Sequence, residues 1–270
     1  MLGKLLKYEW KATWKIPTIL IGLLLILSVL SGFSFASPVW RSDMGGLDLL
    51  VILVWMVFYF ALIGVSIGIT LYMAIHFYKT MFTDEGYLTH TLPVTSHQLL
   101  ISKILPMMAW SAIASLGIIV SVAIFGGMAV IFLVPDMSLM EVIKEGFRLF
   151  EQEGLFDIGY AALGISLLFL VIAELFSGTM MIVGSVSVGQ MVGKHKILGS
   201  IGAYFAINTV VQMGISFISM PIMFTSINSA DHVFKFITSS WWIMSIASIL
   251  VAIGLYFLSE YLIRKKLNLD

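Results

Sequence analysis

Six long apolar runs dominate this sequence, and they constrain its fold more than any motif does. A helix that crosses the hydrocarbon core of a bilayer needs about 20 mostly apolar residues. The runs are Thr18–Phe35, Leu49–Ile75, Ile104–Val134, Gly159–Val188, Ile197–Thr225 and Trp242–Ile263. Lipid cannot form hydrogen bonds with the backbone, so a long apolar segment that crosses the bilayer forms a helix, which satisfies its own backbone groups. The sequence therefore predicts an all-α polytopic membrane protein with six transmembrane helices.

The composition agrees with this class. Hydrophobic residues make up 60% of the 270 positions and charged residues 11%, whereas a soluble domain carries about 25% charged residues. The net charge is zero, which argues against a nucleic-acid partner. There is no cysteine, so disulfides, thiolate metal sites and thiol nucleophiles are excluded.

Parts of the predicted spans can also be interpreted in other ways. The first run resembles a signal peptide ending at Ser34-Phe35-Ala36, but its long aromatic start favours an uncleaved helix. The third to fifth runs are long enough to be tilted, or kinked at Pro106 or Pro221. The polar stretch Phe224–Ser240 is a part that need not cross the membrane.

The basic residues predict the orientation. Eleven of the fifteen lie before the first run, between the second and third, between the fourth and fifth, or at the end. Basic loops stay in the cytoplasm, so both termini are expected there.

The first 16 residues form an amphipathic pattern ahead of the transmembrane region, 17–270. At 100° per residue, Lys4, Lys7, Lys11 and Lys15 fall within an arc of about 80°. This predicts an interfacial helix on the lipid headgroups that Pro17 breaks. Glu9 projects into its apolar face, where a carboxylate either meets a protein partner or reaches back to water.

The acidic loop at 135–157 is expected outside the cell. Ser138-Leu139-Met140-Glu141 has the form of a helix capping box, and apolar residues follow at helical spacing. We interpret it as a short amphipathic helix on the outer membrane face, acting as a lid rather than as a ligand site.

No motif predicts enzymatic chemistry. Gly189–His195 is one residue too short for a phosphate-binding loop and ends in His where Ser or Thr should bind magnesium. Gly64-Val65-Ser66-Ile67-Gly68 matches a nucleophile elbow only in letters, because it lies inside an apolar run where small residues favour helix packing. The five histidines include no pair at i, i+4, so no metal site and no catalytic residue is expected.

Glu174 is the one acid deep inside a predicted span. A charge at that depth is costly, so the side chain is protonated, paired or facing a wet cavity. Two interpretations stay open: a residue of a transport pathway, and a protonated carboxyl that hydrogen-bonds to a neighbouring helix.

The loop at 77–103 is the richest segment, with charges, aromatics and helix breakers in alternation, and Thr95 or Ser96 can cap the next helix. Its runs Asp-Glu-Gly-Tyr-Leu-Thr, Leu-Pro-Val and Gln-Leu-Leu resemble the cytoplasmic coupling region of bacterial ABC-2-type transporter permeases. The opening Leu-Leu-Lys-Tyr-Glu-Trp-Lys and the six spans are similar as well.

The resemblance implies a non-enzymatic subunit of a bacterial cell-membrane exporter. It implies pairing with a second permease copy or a related permease, and two separate ATPase subunits that hold ATP and magnesium. The expected ATPase contacts are Asp84, Glu85, Gly86, Tyr87, Leu92 and Pro93, with a smaller contact that includes Gly193 and Lys194. The alternative is an ATP-independent secondary transporter or membrane sensor that uses Glu174 as a proton site.

Overall fold

A computed structural model describes the chain in ranges separated by gaps. They are 2–36, 47–83, 85–86, 94–133, 138, 140–141, 143–145, 148, 160–192, 195–226 and 230–265. Side chains at 47–48, 160–163, 222–226, 230–236 and 265 lie outside the description. The helices are α1 (Leu2–Thr13), α2 (Lys15–Phe33), α3 (Leu47–Phe82), α4 (Ser96–Leu133), α5 (Tyr160–Gly189), α6 (Lys196–Ser226) and α7 (Ala230–Lys265). A 3₁₀ turn at Ser34–Ala36 follows α2, and none of the described residues is in a strand.

Six of these helices are long and apolar enough to cross a membrane, which confirms the predicted all-α polytopic fold. Their mean hydropathy ranges from 1.5 to 2.6. The spans are Lys15–Ala36, Leu49–Phe82, Ser96–Leu133, Gly164–Gly189, Lys196–Pro221 and Ile237–Arg264.

Several helix bounds differ from the sequence interpretation. α3 continues to Phe82 and α4 begins at Ser96, so the connection between them is residues 83–95, shorter than the predicted loop. Thr95 caps α4 as predicted, because its hydroxyl accepts the Gln98 N–H at 3.3 Å. α4 runs through Pro106 and α6 through Pro221 without ending. α7 begins at Ala230, so much of the polar stretch before Ser240 is helical.

The helix break expected at Pro17 lies four residues earlier in the chain. α1 ends at Thr13, and Pro17 is the third residue of α2. A proline has no N–H to donate to the carbonyl four residues earlier, so it ends the preceding helix and is tolerated in the first turn of its own. The break therefore precedes Pro17.

The chain divides into two compact units. The first comprises Met1–Lys11, Met73–Ala109 and Gly154–Asp270. In it α5 packs mainly on α7, and then on α6. Met73, Phe77 and Met81, four residues apart on α3, are almost completely buried. Such spacing places them on one face of the helix.

The second unit comprises Ala12–Tyr72 and Trp110–Glu153. An aromatic group fills part of its interior: the ring centroids of Phe35 and Trp55 are 5.1 Å apart, and those of Phe58 and Phe125 are 4.9 Å apart. Trp55 also donates its indole N–H to the Ser34 hydroxyl at 2.8 Å. These contacts join the 3₁₀ turn after α2 to α3, and α3 to α4, within the unit.

Candidate functional site

Glu9 is the charged residue that α1 carries on its covered side. The four lysines at 4, 7, 11 and 15 are exposed, Leu2, Leu5 and Leu6 are half-buried, and Glu9 is 8% exposed. The amphipathic pattern of α1 is therefore present in the structure. A buried carboxylate needs hydrogen bonds or a counter-charge, since desolvation penalises its ionised form.

The partners of Glu9 include His76 and Lys103, and these three residues are called the Glu9 cluster below. His76 of α3 contacts Oε1 of Glu9 through Nε2 at 2.9 Å. Lys103 of α4 donates from Nζ to Oε2 at 2.9 Å and also to Oε1. Lys103 is itself only 8% exposed. Glu9 thus has protein partners instead of reaching back to water.

The cluster keeps Glu9 ionised. Burial raises the pKa of Glu9, but the His76 hydrogen bond and the Lys103 charge together outweigh it, so the pKa lies below its ordinary value of 4.5. An ionised carboxylate can only accept hydrogen bonds, so the Nε2 atom of His76 must carry the proton that it shares with Glu9.

The Glu9 cluster connects three chain segments of the first unit. His76 lies six residues before the end of α3, and Lys103 lies seven residues after the start of α4. The same two helix ends border the connection at 83–95. Because Glu9 bonds to both helices, it holds α1 to the two ends that carry this connection. The cluster is therefore a charged, hydrogen-bonded link between three chain segments.

The connection itself is described only in part. Glu85 is exposed and Gly86 is buried, and the Gly86 N–H donates to the Thr83 carbonyl at 2.7 Å. A Cβ atom at Gly86 would lie 2.6 Å from the Met81 carbonyl oxygen, so this turn requires glycine. The other predicted contact residues lie outside the described residues, namely Asp84, Tyr87, Leu92, Pro93, Gly193 and Lys194.

The phosphate-loop-like segment after α5 belongs to a tight helix hairpin. The N–H groups of Met191 and Val192 donate to the carbonyls of Val188 and Gly189 at 3.0 and 3.1 Å. A Cβ atom at Gly189 would collide with Ser200 of α6. These two amides are therefore used within the turn, and Gly189 is required by the close approach of two helices.

Among the residues that the structure describes, Glu174 has one hydrogen-bond partner, on a neighbouring helix. Ser248 of α7 donates its hydroxyl to Oε1 of Glu174 at 2.7 Å. The rest of the Glu174 side chain is exposed, and so are the adjacent Val171 and Ile172. The hydrogen bond fits the structural interpretation, while the exposure leaves the side chain accessible to a proton or to another membrane component.

The nucleophile-elbow letters lie within continuous helix, since Gly64, Ser66 and Gly68 are all inside α3. A nucleophile elbow needs a sharp strand-to-helix turn. The expected close packing does not occur at Gly64, where an added Cβ would meet no atom within 4 Å. The motif's second glycine, Gly68, does contact α2, since its added Cβ would lie 3.6 Å from Leu20; the approach is closer at Gly117, where a Cβ would lie 2.7 Å from Ile21 of the same helix.

The predicted capping box in the acidic loop is confirmed. The Glu141 N–H donates to the Ser138 hydroxyl at 3.2 Å, and the Ser138 N–H donates to the Glu141 carboxylate at 2.7 Å. That backbone hydrogen bond holds the pKa of Glu141 below its usual value. The apolar residues Leu139, Val142, Phe147 and Phe150 of the predicted amphipathic helix lie outside the described residues.

The sequence did not reveal which residues contact Glu9. Its charge pattern marks Lys103 only as an indicator of topology, and His76 only as a histidine outside any metal motif. One signal was available: Lys103 interrupts a run whose neighbours Leu100 and Ile104 are apolar. His97 of α4 and Tyr256 of α7, which hydrogen-bond to each other with ring centroids 5.8 Å apart, gave no such signal.

Within the described ranges, no group of three or more His, Cys, Asp or Glu side chains could hold a metal ion. No protein-family model, curated protein or solved structure matches the chain.

Proposed function

We propose that this chain is the membrane-spanning permease subunit of an ATP-driven ABC exporter, coupled to a separate ATPase subunit. The observation that carries the proposal is the Glu9 cluster, which ties α1 to the two helix ends that border the connection at 83–95. A subunit that receives force at an inside loop needs that loop to be rigidly attached to its transmembrane helices. The loop residues and their resemblance to a coupling region supply the second support.

The proposal includes an orientation in a bacterial cell membrane. Eleven of the fifteen basic residues lie before the first span, beside the connection at 83–95, between α5 and α6 or at the end of the chain, which are segments that an even number of spans would put on one side. Under the positive-inside rule that side is cytoplasmic, so both termini face the ATPase. The capping box at Ser138 and Glu141 then lies on the outer face.

The mechanism that follows is a transfer of motion between proteins. ATP and magnesium bind the ATPase partner, and closure of that partner pushes on the connection through Asp84, Glu85 and Gly86. The Glu9 cluster keeps the ends of α3 and α4 together, so the push moves both helices instead of bending the connection. The resulting change is a rigid-body movement between two permease chains.

The test is co-purification. The full chain, tagged and extracted from its native membrane in mild detergent, should bring down an ATPase polypeptide, and the complex should hydrolyse magnesium-ATP. A Walker-type substitution in that polypeptide should abolish the turnover. If the chain purifies without any nucleotide-hydrolysing partner, the proposal fails.

Orientation is tested separately, and the absence of native cysteine makes this simple. Single cysteines at the exposed positions Lys11 and Glu85 should resist an impermeant maleimide on intact cells, while one at Lys144 should react. Labelling of the Glu85 site from outside would reverse the orientation and remove the coupling argument.

A second function is favoured by a different observation. Glu174 is an exposed carboxyl within a span, held only by the Ser248 hydroxyl among the described residues. Such a group can carry a proton, as expected of an ATP-independent secondary transporter or a membrane sensor. Transport that continues without ATP and stops when the proton gradient is dissipated would favour this function over the first.

A further inference from the structure

A cavity of about 360 Å³ lies between α4 and α7 in the first unit. Among the described residues that line it, Tyr256 of α7 alone has a polar group. Leu105 of α4 and Ile253 of α7 are both exposed, so the cavity is open to its surroundings. Its apolar walls include Ile101, Leu105 and Met108 of α4, Ile253 and Phe257 of α7, and Phe176 of α5.

The cavity has one polar end, at His97 and Tyr256. The Tyr256 hydroxyl and Nδ1 of His97 hydrogen-bond to each other. His97 is the second residue of α4, and the α4 residues of the cavity follow it at helical spacing on the same face. Glu260 and Arg264 follow Tyr256 one and two turns later, toward the end of α7. Polar groups therefore lie near the helix ends, and the apolar walls lie deeper in the spans.

The depth of the cavity matches one leaflet of a bilayer. Met108 comes 11 residues after His97, and both are inside a candidate span. At 1.5 Å per residue, α4 advances about 16 Å between them. Half of a hydrocarbon core about 30 Å thick is about 15 Å. A chain that enters beside His97 and ends near Met108 thus has the length of an acyl chain in one leaflet.

Arg264 gives the polar end a charge that is complementary to a phosphate. Its side chain is exposed, and within the part of the chain that the structure describes it forms no ion pair. It lies about 12 Å beyond Tyr256 along α7, away from the apolar walls. A guanidinium group donates paired N–H bonds to phosphate oxygens. Glu260 offsets the charge of Arg264, which suits a zwitterionic headgroup.

We propose that this cavity binds one acyl chain of a zwitterionic phospholipid, with the lipid phosphate at Arg264. The order of groups in a phospholipid is phosphate, polar ester and apolar chain. The same order occurs along the site as Arg264, the His97–Tyr256 pair and the apolar walls. The bound chain would contact α4 and α7 together, so the lipid would act as a packing element of the first unit. The inference does not depend on the proposed transport function, and it stands if no ATPase is found.

Photo-cross-linking tests the site in the full chain. The protein is reconstituted in phosphatidylcholine vesicles that contain a low mole fraction of phosphatidylethanolamine with a diazirine near the end of one acyl chain. Peptide mapping should place the strongest labelling on the walls formed by Leu105, Met108 and Ile253. Labelling spread evenly over the exposed apolar residues of all six spans would overturn the proposal, because it would show only the general lipid contact of a membrane protein.

Filling the cavity should displace the chain. Leu105→Trp should reduce labelling of the cavity about ten-fold, the effect of excluding about two methylenes from an apolar site. Leu116→Trp is the matched control, since it makes the same change at an exposed position three turns later on α4 and should leave the labelling unchanged. If Leu105→Trp does not accumulate, Ile253→Trp makes the test from the opposite wall. Wild-type labelling in a folded cavity variant would contradict the proposal.

The headgroup contact is tested separately. Arg264→Gln should weaken labelling about three-fold to ten-fold, because a partly exposed charged hydrogen bond is lost. Lys15→Gln, which removes an exposed cation from α2, is the control and should have no effect. Native mass spectrometry after detergent exchange should show one phospholipid mass on the wild type and none on Leu105→Trp. A bound mass that is not a phospholipid, or no bound mass on the wild type, would overturn the assignment of the ligand.

Discussion

Breaking the Glu9 cluster should destabilise the protein in a way that depends on both partners. The Glu9 and Lys103 side chains are 11% and 9% exposed, so they form a buried ion pair. Removing one partner of such a pair costs about 3–5 kcal/mol, because the other charge stays buried without compensation. Glu9→Gln should fall in this range. Lys103→Met should lie at its lower end, since His76 still contacts the carboxylate.

The double variant distinguishes an ion pair from two independent contacts. With both charges removed no charge is stranded, so Glu9→Gln/Lys103→Met should be no less stable than Glu9→Gln alone. The coupling energy should therefore be about 3 kcal/mol, within the range of residues that share one network.

The assay is thermal unfolding of the full chain in lipid nanodiscs, read by circular dichroism. For a domain of 150–250 residues, 1 kcal/mol shifts Tm by about 2–4 °C, so the single variants should unfold about 10 °C early. Lys7→Met, which removes an exposed lysine from the same helix, is the control and should change Tm little. Additive effects of the two single variants, or wild-type stability of Glu9→Gln, would refute the reasoning.

Three further predictions concern pH, Glu174 and the turn after α3. Because the pKa of Glu9 is lowered from 4.5, the stabilisation that Glu9 contributes is present above that pH and is lost as the pH falls below about 4.5. The Tm difference between wild type and Glu9→Gln should therefore persist from pH 5 to 8 and shrink below that range. A Tm difference that is constant down to pH 3 would contradict the assignment. Glu174→Gln should remain folded and abundant but lose transport if the carboxyl carries protons; full transport would assign it a structural role. Gly86→Ala should lower the free energy of unfolding by about 1–3 kcal/mol, because the new Cβ would lie 2.6 Å from a backbone oxygen. Gly64→Ala is the control: its Cβ would meet no atom within 4 Å, so it should not destabilise the protein.

The parts of the fold that follow from local sequence were predictable. Hydropathy over about 20 residues locates the spans, and spacing of 3.6 residues places the lysines of α1 on one exposed face. The caps at Thr95 and Ser138 involve residues three positions apart, so the sequence alone contains the whole motif. The ends of the helices were predicted less accurately. The apolar run ends at Ile75, but α3 continues to Phe82, because polar residues can extend a helix as readily as apolar ones.

The candidate site was not predictable to the same degree. The sequence shows that Glu9 needs a partner, because an acid on an apolar face is costly. It does not show which one, since Lys103 is 94 positions away and the contact depends on tertiary packing. The same holds for Glu174 and Ser248, which are 74 positions apart on different helices. Local sequence patterns thus indicate which polar side chains need a partner. The identity of that partner depends on how the helices pack.

The central claim is that a partner ATPase acts on this chain through the connection after α3. The most direct test compares ATPase binding and ATP turnover in nanodiscs for wild type and for Asp84→Lys/Glu85→Lys. Losing one member of a buried charged contact costs about 2–5 kcal/mol, so the variant should bind the ATPase at least about 30-fold more weakly or hydrolyse ATP without transport. Glu145→Lys/Glu151→Lys makes the same charge change in the acidic loop and should behave as wild type. Wild-type binding and coupled turnover in the Asp84/Glu85 variant would contradict the account.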